Sequence, residues 1–158
     1  MSIFAKPTPA PKPRSKDVPR IAFLFALIIL IMVVTQLFSF EKFLVLLASF
    51  DLPITAQASY FLGGLIVITE VFALPFLLRM PLSRAFRWVS MVSSWIVSLI
   101  WVKLTAWIII TEQSVENVGF LGTLVGLMPG WWAIFVAVSL AILAGWASWG
   151  LWPGKRKK

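Results

Sequence analysis

The chain has 158 residues, of which 60% are hydrophobic and 13% charged, with a net charge of +8. A soluble domain of this length could not enclose so much apolar surface, and runs of about 20 apolar residues are typical of transmembrane helices. The sequence contains no Cys, no His and only six carboxylates. This composition excludes disulfides and thiolate nucleophiles and removes the usual general base and most transition-metal ligands. We therefore expect no metal site and no catalytic site formed by this chain alone.

The first part of the chain predicts a tail, one span and a short helix. Residues 1–19 are rich in Pro, Lys and Arg, with prolines at alternate positions, and indicate a disordered or extended cytoplasmic tail rather than a signal peptide. An apolar run over 21–38 is long enough to cross a bilayer. Apolar residues at helical spacing over 41–50 then predict a short interfacial helix, ended by Asp51-Leu52-Pro53.

The remaining chain predicts three more spans. They cover 57–78, 86–110 and 131–152, and Pro75 lies near the end of the first of these. A tight turn over 79–84 joins the second and third spans. A longer loop over 111–128 carries an apolar stretch, 118–127, that we expect to dip into the interface. The predicted fold is all-α: a polytopic four-helix membrane bundle over 20–153, followed by a basic cytoplasmic tail over 154–158.

The distribution of basic residues predicts the orientation. Twelve of the fourteen Lys and Arg residues fall in the two tails and around the second connection. Cytoplasmic segments of membrane proteins carry such an excess. We expect both termini in the cytoplasm and the chain in the plasma membrane, the inner membrane of a bacterial cell. Anionic lipid headgroups explain this charge more simply than nucleic acid does, and nucleic acid is not an expected partner.

Glu70 is the first candidate for a functional residue, because it lies inside the second predicted span. A carboxyl group there is costly and should face the bundle interior. Ser90 and Ser94 on the third span lie at a similar predicted depth, and each could donate a hydrogen bond to it. Glu70 is predicted either to handle a proton or contact a ligand, or to tie two helices together in its protonated form.

Lys103 is the second charged residue within a predicted span. It lies about 10 Å from the outer end of the third span, so its side chain is expected to snorkel outward. Gln36, near the outer end of the first span, could meet it there. A direct pairing of Lys103 with Glu70 would be strained by the difference in depth. The repeat of Ser90, Ser94 and Ser98 forms a polar seam, and the small residues Ala133, Ala137, Ala141 and Gly145 predict close helix packing.

The middle of the chain resembles the DoxX-like membrane proteins, a group that includes the MauE-type proteins. The resemblance rests on Phe38-Ser39-Phe40-Glu41-Lys42-Phe43, on the short helix after it, and on the run from Gly63-Gly64 through Thr69-Glu70 to Leu74. The resemblance implies a four-helix bundle with a Lys after the first span and an acid in the second, which Lys42 and Glu70 match. The family's glycine before that Lys and its late histidine in the third span are absent here.

The resemblance implies an accessory, non-catalytic subunit of a membrane redox system linked to quinones. A quinone or a lipid is then the expected ligand, and a membrane or soluble protein is the expected partner beside the bilayer, with a homo-oligomer also compatible. Two alternatives stay open at this point. One is a small proton-coupled transporter that uses Glu70, and the other is a structural membrane anchor for a partner protein.

Overall fold

The computed structural model describes residues 7–152 and contains five α-helices within them. Four are long and apolar enough to cross a membrane. The all-α four-helix membrane bundle predicted from the sequence is therefore confirmed, and the described residues contain no β-strand. Residues 1–6 of the predicted N-terminal tail, residue 153 and the predicted C-terminal tail 154–158 lie outside the described residues. The helices, numbered in chain order, are α1 (Val18–Phe38), α2 (Phe40–Ala48), α3 (Ala56–Leu77), α4 (Arg84–Ile110) and α5 (Trp131–Leu151).

The four long helices form a closed ring in the order α1, α3, α4, α5, and each packs antiparallel to its two neighbours. The short helix α2 lies against α3. One end of the bundle, here called the basic end, carries residues 7–17, the α3–α4 turn and the end of α5. The other, here called the loop end, carries α2, the α2–α3 connection and residues 111–130. The side of the membrane that each end faces stays a prediction.

The apolar residues divide between a packed interior and a lipid-facing exterior. Side chains such as Phe25, Ile29 and Leu140 are buried between the helices, whereas many large apolar side chains on every long helix remain exposed. This second group has no partner in the bundle and suits contact with lipid. The small residues of α5 are buried only in part along the predicted four-residue repeat. Ala133 and Ala137 are buried as predicted, but the buried face then continues through Ala144 rather than through Ala141 and Gly145, because a strict four-residue repeat rotates around a helix of 3.6 residues per turn.

Residues 7–17 have no helix but are seated on the basic end. The backbones of Thr8 and Leu82 exchange two hydrogen bonds, at 3.1 and 3.2 Å. The guanidinium of Arg87 donates to the carbonyl oxygens of Thr8, Pro9 and Leu82. The backbone N–H of Arg14 donates to the carbonyl oxygen of Gly150 at 3.0 Å. This segment, here called the strap, is thus tied to both the α3–α4 turn and the end of α5.

The loop between α4 and α5 folds back onto the bundle at the loop end. Asn117 organises it, because its amide donates to the carbonyl oxygen of Gly122 and its Oδ1 accepts from the backbone N–H groups of Gly119 and Leu127. Val118 and Phe120 are buried beneath the loop. Residues 117–127, here called the plug, therefore fold onto the bundle, with 117–120 buried and 124–126 exposed. The expected dip of 118–127 into the membrane interface stays a prediction.

Candidate functional site

Glu70 is fully buried in the bundle, on α3. Its Oε1 accepts hydrogen bonds from Nε1 of Trp101 on α4 at 3.2 Å and from Nε2 of Gln36 on α1 at 3.3 Å. Side chains on a helix lean toward its N-terminus. Because α3 and α4 are antiparallel, Glu70 leans toward the loop end and Trp101 leans toward the basic end, and the two meet. One carboxyl group thereby links three of the four spans. Glu70, Gln36 and Trp101 are here called the Glu70 cluster.

Two buried oxygen atoms of this cluster have no hydrogen-bond partner among the described residues: Oε2 of Glu70 and Oε1 of Gln36. The amide nitrogen of Gln36 is shared between Glu70 and the carbonyl oxygen of Phe120, which lies 3.1 Å away. Both unpartnered atoms are acceptors. Since a buried acceptor without a partner is unfavourable in an apolar surrounding, the cluster lacks a donor rather than another acceptor.

The plug closes the cluster toward the loop end. The ring of Phe120 packs on Trp101 with centroids 4.6 Å apart, and it approaches Trp132 at 6.2 Å. The plug is held against α1, where the backbone N–H of Thr123 donates to Oγ of Ser39 at 3.1 Å. Gly122 lets the plug pack closely against the end of α1, at a contact here called its seat, because a Cβ there would lie 2.9 Å from the carbonyl oxygen of Thr35. Its φ of +59° also favours glycine.

Ser90 and Ser94 do not reach Glu70. The Ser90 hydroxyl donates to the carbonyl oxygens of Phe72 and Ala73 and accepts from the N–H of Phe76 at 2.9 Å. It therefore serves the backbone around Pro75, whose ring removes one helical donor. Ser94 donates within its own helix, to the carbonyl oxygen of Met91.

The depth of these two serines explains the difference from the sequence-based expectation. Ser90 pairs with Phe76, which follows Glu70 by six residues, so it lies about 9 Å closer to the basic end than Glu70 does. The α4 residue that meets Glu70 comes from further along the helix, at Trp101.

Lys103 is exposed on the outside of the bundle. It pairs with neither Gln36 nor Glu70, since the acceptor atoms of those residues bond elsewhere or have no partner. It lines instead an apolar groove of about 380 Å³, here called the Lys103 groove. The other lining residues come from the α2–α3 connection, α3 and α4: Leu52, Pro53, Ile54, Leu62, Ile100, Leu104 and Trp107.

Lys42 is exposed on α2 and lies apart from the Glu70 cluster. It lines a second open groove of about 570 Å³ between the end of α1, the start of α2 and the plug, together with Glu41, Ser39 and Thr123 among others. Of the six candidates taken from the sequence, the structure thus brings together Glu70 and Gln36. It leaves Ser90, Ser94, Lys103 and Lys42 at four other places.

Three residues that build or enclose the cluster were not predicted from the sequence: Trp101, Phe120 and Asn117. Trp101 follows Ser98, the last serine of the polar seam, by three residues on α4, and a tryptophan whose N–H is buried in a span does require an acceptor. Phe120 contributes a backbone oxygen, which leaves no trace in the sequence. Asn117 in an apolar loop stretch is a signal that could have been used, because an isolated buried amide must satisfy several hydrogen bonds.

No family model matches this sequence, and no curated protein or solved structure shows significant similarity to it. Within the described residues, no group of three or more carboxylates is arranged to hold a metal ion. The resemblance to the DoxX-like proteins therefore stays a prediction. The structure supports an integral membrane protein with four spans, and it contains a buried polar cluster around Glu70 and an open apolar groove at Lys103.

Proposed function

We propose that this membrane protein is a non-catalytic accessory subunit of a quinone-linked redox system, and that the Lys103 groove receives the quinone headgroup. The observation that carries the proposal is the lysine within a membrane span, Lys103, which lines an otherwise apolar groove. A quinone headgroup is an apolar ring with two carbonyl acceptors, and it is bound where a few donors line an apolar slot. The ammonium of a lysine offers three donors and no acceptor.

The shape of the Lys103 groove supports this ligand. Its volume of about 380 Å³ falls in the range of about 300–1,000 Å³ typical of small-molecule sites. Trp107 forms one wall and is fixed in place, because its indole N–H donates to the carbonyl oxygen of Phe50 at 3.2 Å. Gln113 donates to the same oxygen at 2.7 Å. The groove is open at the surface of the bundle and is lined by residues of two spans, α3 and α4, so in this proposal a membrane-soluble quinone enters it from the lipid.

A redox role for this chain requires a partner. The sequence has no Cys and no His, so the groups that usually hold redox metals, haems or clusters would belong to another subunit. In this proposal the chain holds the quinone near a membrane or soluble redox partner, either as a monomer or as a homo-oligomer. Its basic end lies on the cytoplasmic side of the inner membrane, against anionic headgroups.

Quinone binding can be measured by extracting and quantifying quinones from the purified protein and by titration with a short-chain quinone in nanodiscs. We expect Lys103→Met to weaken binding by roughly 10–100-fold, since a hydrogen bond from a charged donor contributes about 1.5–3 kcal/mol. Lys42→Met is the matched control, because that lysine lies at a different open groove of the loop end. Equal binding by both variants, or no quinone on the native protein, would refute the proposal.

Affinity purification from native membranes tests the partner. A co-purified redox subunit supports the proposal, whereas neither a quinone nor a redox partner would contradict it. Loss of substrate flux in proteoliposomes on Glu70→Gln would indicate the proton-coupled transporter instead. Loss of a partner's stability on deletion of the chain, without a small-molecule effect, would indicate an anchor.

A further inference from the structure

The Glu70 cluster takes no part in the proposed quinone site, and two of its buried oxygen atoms accept no hydrogen bond from the described residues. Oε2 of Glu70 and Oε1 of Gln36 are both buried acceptors without a partner among the described residues, in side chains that are fully buried. The neighbouring groups that could donate, the indole N–H of Trp101 and the amide of Gln36, are both directed at Oε1 of Glu70. The missing component is a donor that can enter a closely packed space.

We propose that Glu70 and Gln36 form a proton-binding site, and that the plug gates its exchange of protons with water at the loop end. The ligand is a single proton: Oε2 of Glu70 takes it from a hydronium ion, which leaves as water, and no electrons move. The proton converts Oε2 into a donor, and the unpartnered Oε1 of Gln36 is the acceptor on the same pair of residues. A single proton thereby gives both oxygen atoms a hydrogen-bond partner.

A proton fits this site better than a metal cation does. Calcium and magnesium ions take about six or more oxygen ligands, whereas the cluster has two unpartnered oxygens. A bound proton also removes the charge of a carboxylate in a membrane span, where charge is costly.

Glu70 is hydrogen-bonded to no charged side chain among the described residues, so a bound proton is what neutralises its carboxylate in this proposal. The groups that bond to Glu70 from α1 and α4, Gln36 and Trp101, are neutral. Two titratable residues near these elements are not exposed, and both lie at the basic end: Arg87, which is bonded to the strap, and Arg79, which is half-buried just after α3. The exposed ones are Arg20 on α1, Glu41 and Lys42 on α2, Tyr60 on α3, Arg84 and Lys103 on α4, and Glu112 and Glu116 before the plug.

The plug is the gate because it lies between the cluster and the loop end. Phe120 covers the cluster with both its ring, on Trp101, and its carbonyl oxygen, on Gln36. The plug is attached to α1 and to Ser39 after it through the Gln36–Phe120 and Thr123–Ser39 hydrogen bonds and the close fit of Gly122. It is a loop, and loops open locally at a lower free energy than a helical core does. Opening of the plug would admit water to Glu70 without separating the helices.

Infrared spectroscopy of the protein in lipid tests both parts of the proposal. We expect a carboxylic acid C=O band that Glu70→Gln removes and that Gln36→Leu shifts, because the acid loses the acceptor of its proton. After transfer to D₂O, this band should exchange slowly in the native protein. Absence of a carboxylic acid band assignable to Glu70, or a band unaffected by Gln36→Leu, would overturn the proton site.

The gate is tested by three variants of the plug and its seat. Gly122→Ala should displace the plug and raise the exchange rate of the Glu70 band by roughly tenfold or more, since local opening governs the exchange of buried groups. Ser39→Ala removes a single hydrogen bond of the seat and should give a smaller increase in a fully folded protein. Gly126→Ala is the matched control, because a Cβ there meets no atom within 4 Å. Equal exchange rates in all three variants would overturn the gate and leave the quinone proposal untouched.

Discussion

Replacement of Ser90 by alanine tests whether a side chain of α4 completes the backbone hydrogen bonding of α3. The hydroxyl accepts from the N–H of Phe76 at 2.9 Å and donates to the carbonyl oxygen of Phe72. These backbone groups flank Pro75, inside a span. In lipid no water replaces a lost partner. Ser90→Ala should therefore remove an acceptor of the Phe76 N–H and a donor to the Phe72 carbonyl oxygen at the same place.

The expected magnitude follows from the two roles of the hydroxyl. Hydrogen bonds between helices in membranes average about 0.6 kcal/mol and reach about 1.7 kcal/mol. A buried group left without a partner costs about 1–3 kcal/mol. Because Ser90 serves both a donor and an acceptor, we expect Ser90→Ala to lower the free energy of unfolding by about 2 kcal/mol, roughly a 30-fold change in the unfolding equilibrium. The measurement is equilibrium unfolding by SDS in mixed micelles.

Two comparisons make this result specific to the proline. Ser94→Ala is the matched control, since that hydroxyl bonds only to the carbonyl oxygen of Met91 in its own helix, and it should cost less than about 0.5 kcal/mol. In a Pro75→Ala background the straightened helix supplies its own bonds, so Ser90→Ala should cost about 1 kcal/mol less than in the native chain. Equal losses for the two serines, or no coupling to Pro75, would refute the reasoning.

Two further predictions concern the packing of α5 and the strap. Gly150→Ala should destabilise the bundle by about 1–3 kcal/mol in the same unfolding assay, because the new Cβ would overlap the first side chain of α1, whereas Gly64→Ala meets no atom within 4 Å and serves as the control. Since the chain has no Cys of its own, Thr8→Cys with Leu82→Cys should form a disulfide on mild oxidation and report on the strap. Arg87→Met should slow that cross-link several-fold by removing its hydrogen bonds to the carbonyl oxygens of the strap, and an unchanged rate would contradict the role given to this arginine.

The hydrogen bond between Trp101 and Glu70 could not be predicted from the sequence. The sequence identified Glu70 as a buried residue and a functional candidate, because a carboxyl group inside a span is too costly to face lipid. It assigned Ser90 and Ser94 as partners from helical rise alone, which fixes depth only if the offset between α3 and α4 is known. That offset depends on how the two helices pack, and it set Ser90 opposite Phe76 instead.

The sequence by itself determined that this protein spans a membrane four times with a short helix after the first span. Apolar length and flanking polar residues decide the existence of each span, and both are properties of a single segment. Only the tertiary structure decided that Gln36, Trp101 and the carbonyl oxygen of Phe120 enclose Glu70, and that Lys103 lies outside in an apolar groove. These contacts join segments up to 84 positions apart in the chain. They depend on the rotation of each helix and on the path of the plug, which the hydrophobic pattern of a nearly uniformly apolar helix does not fix.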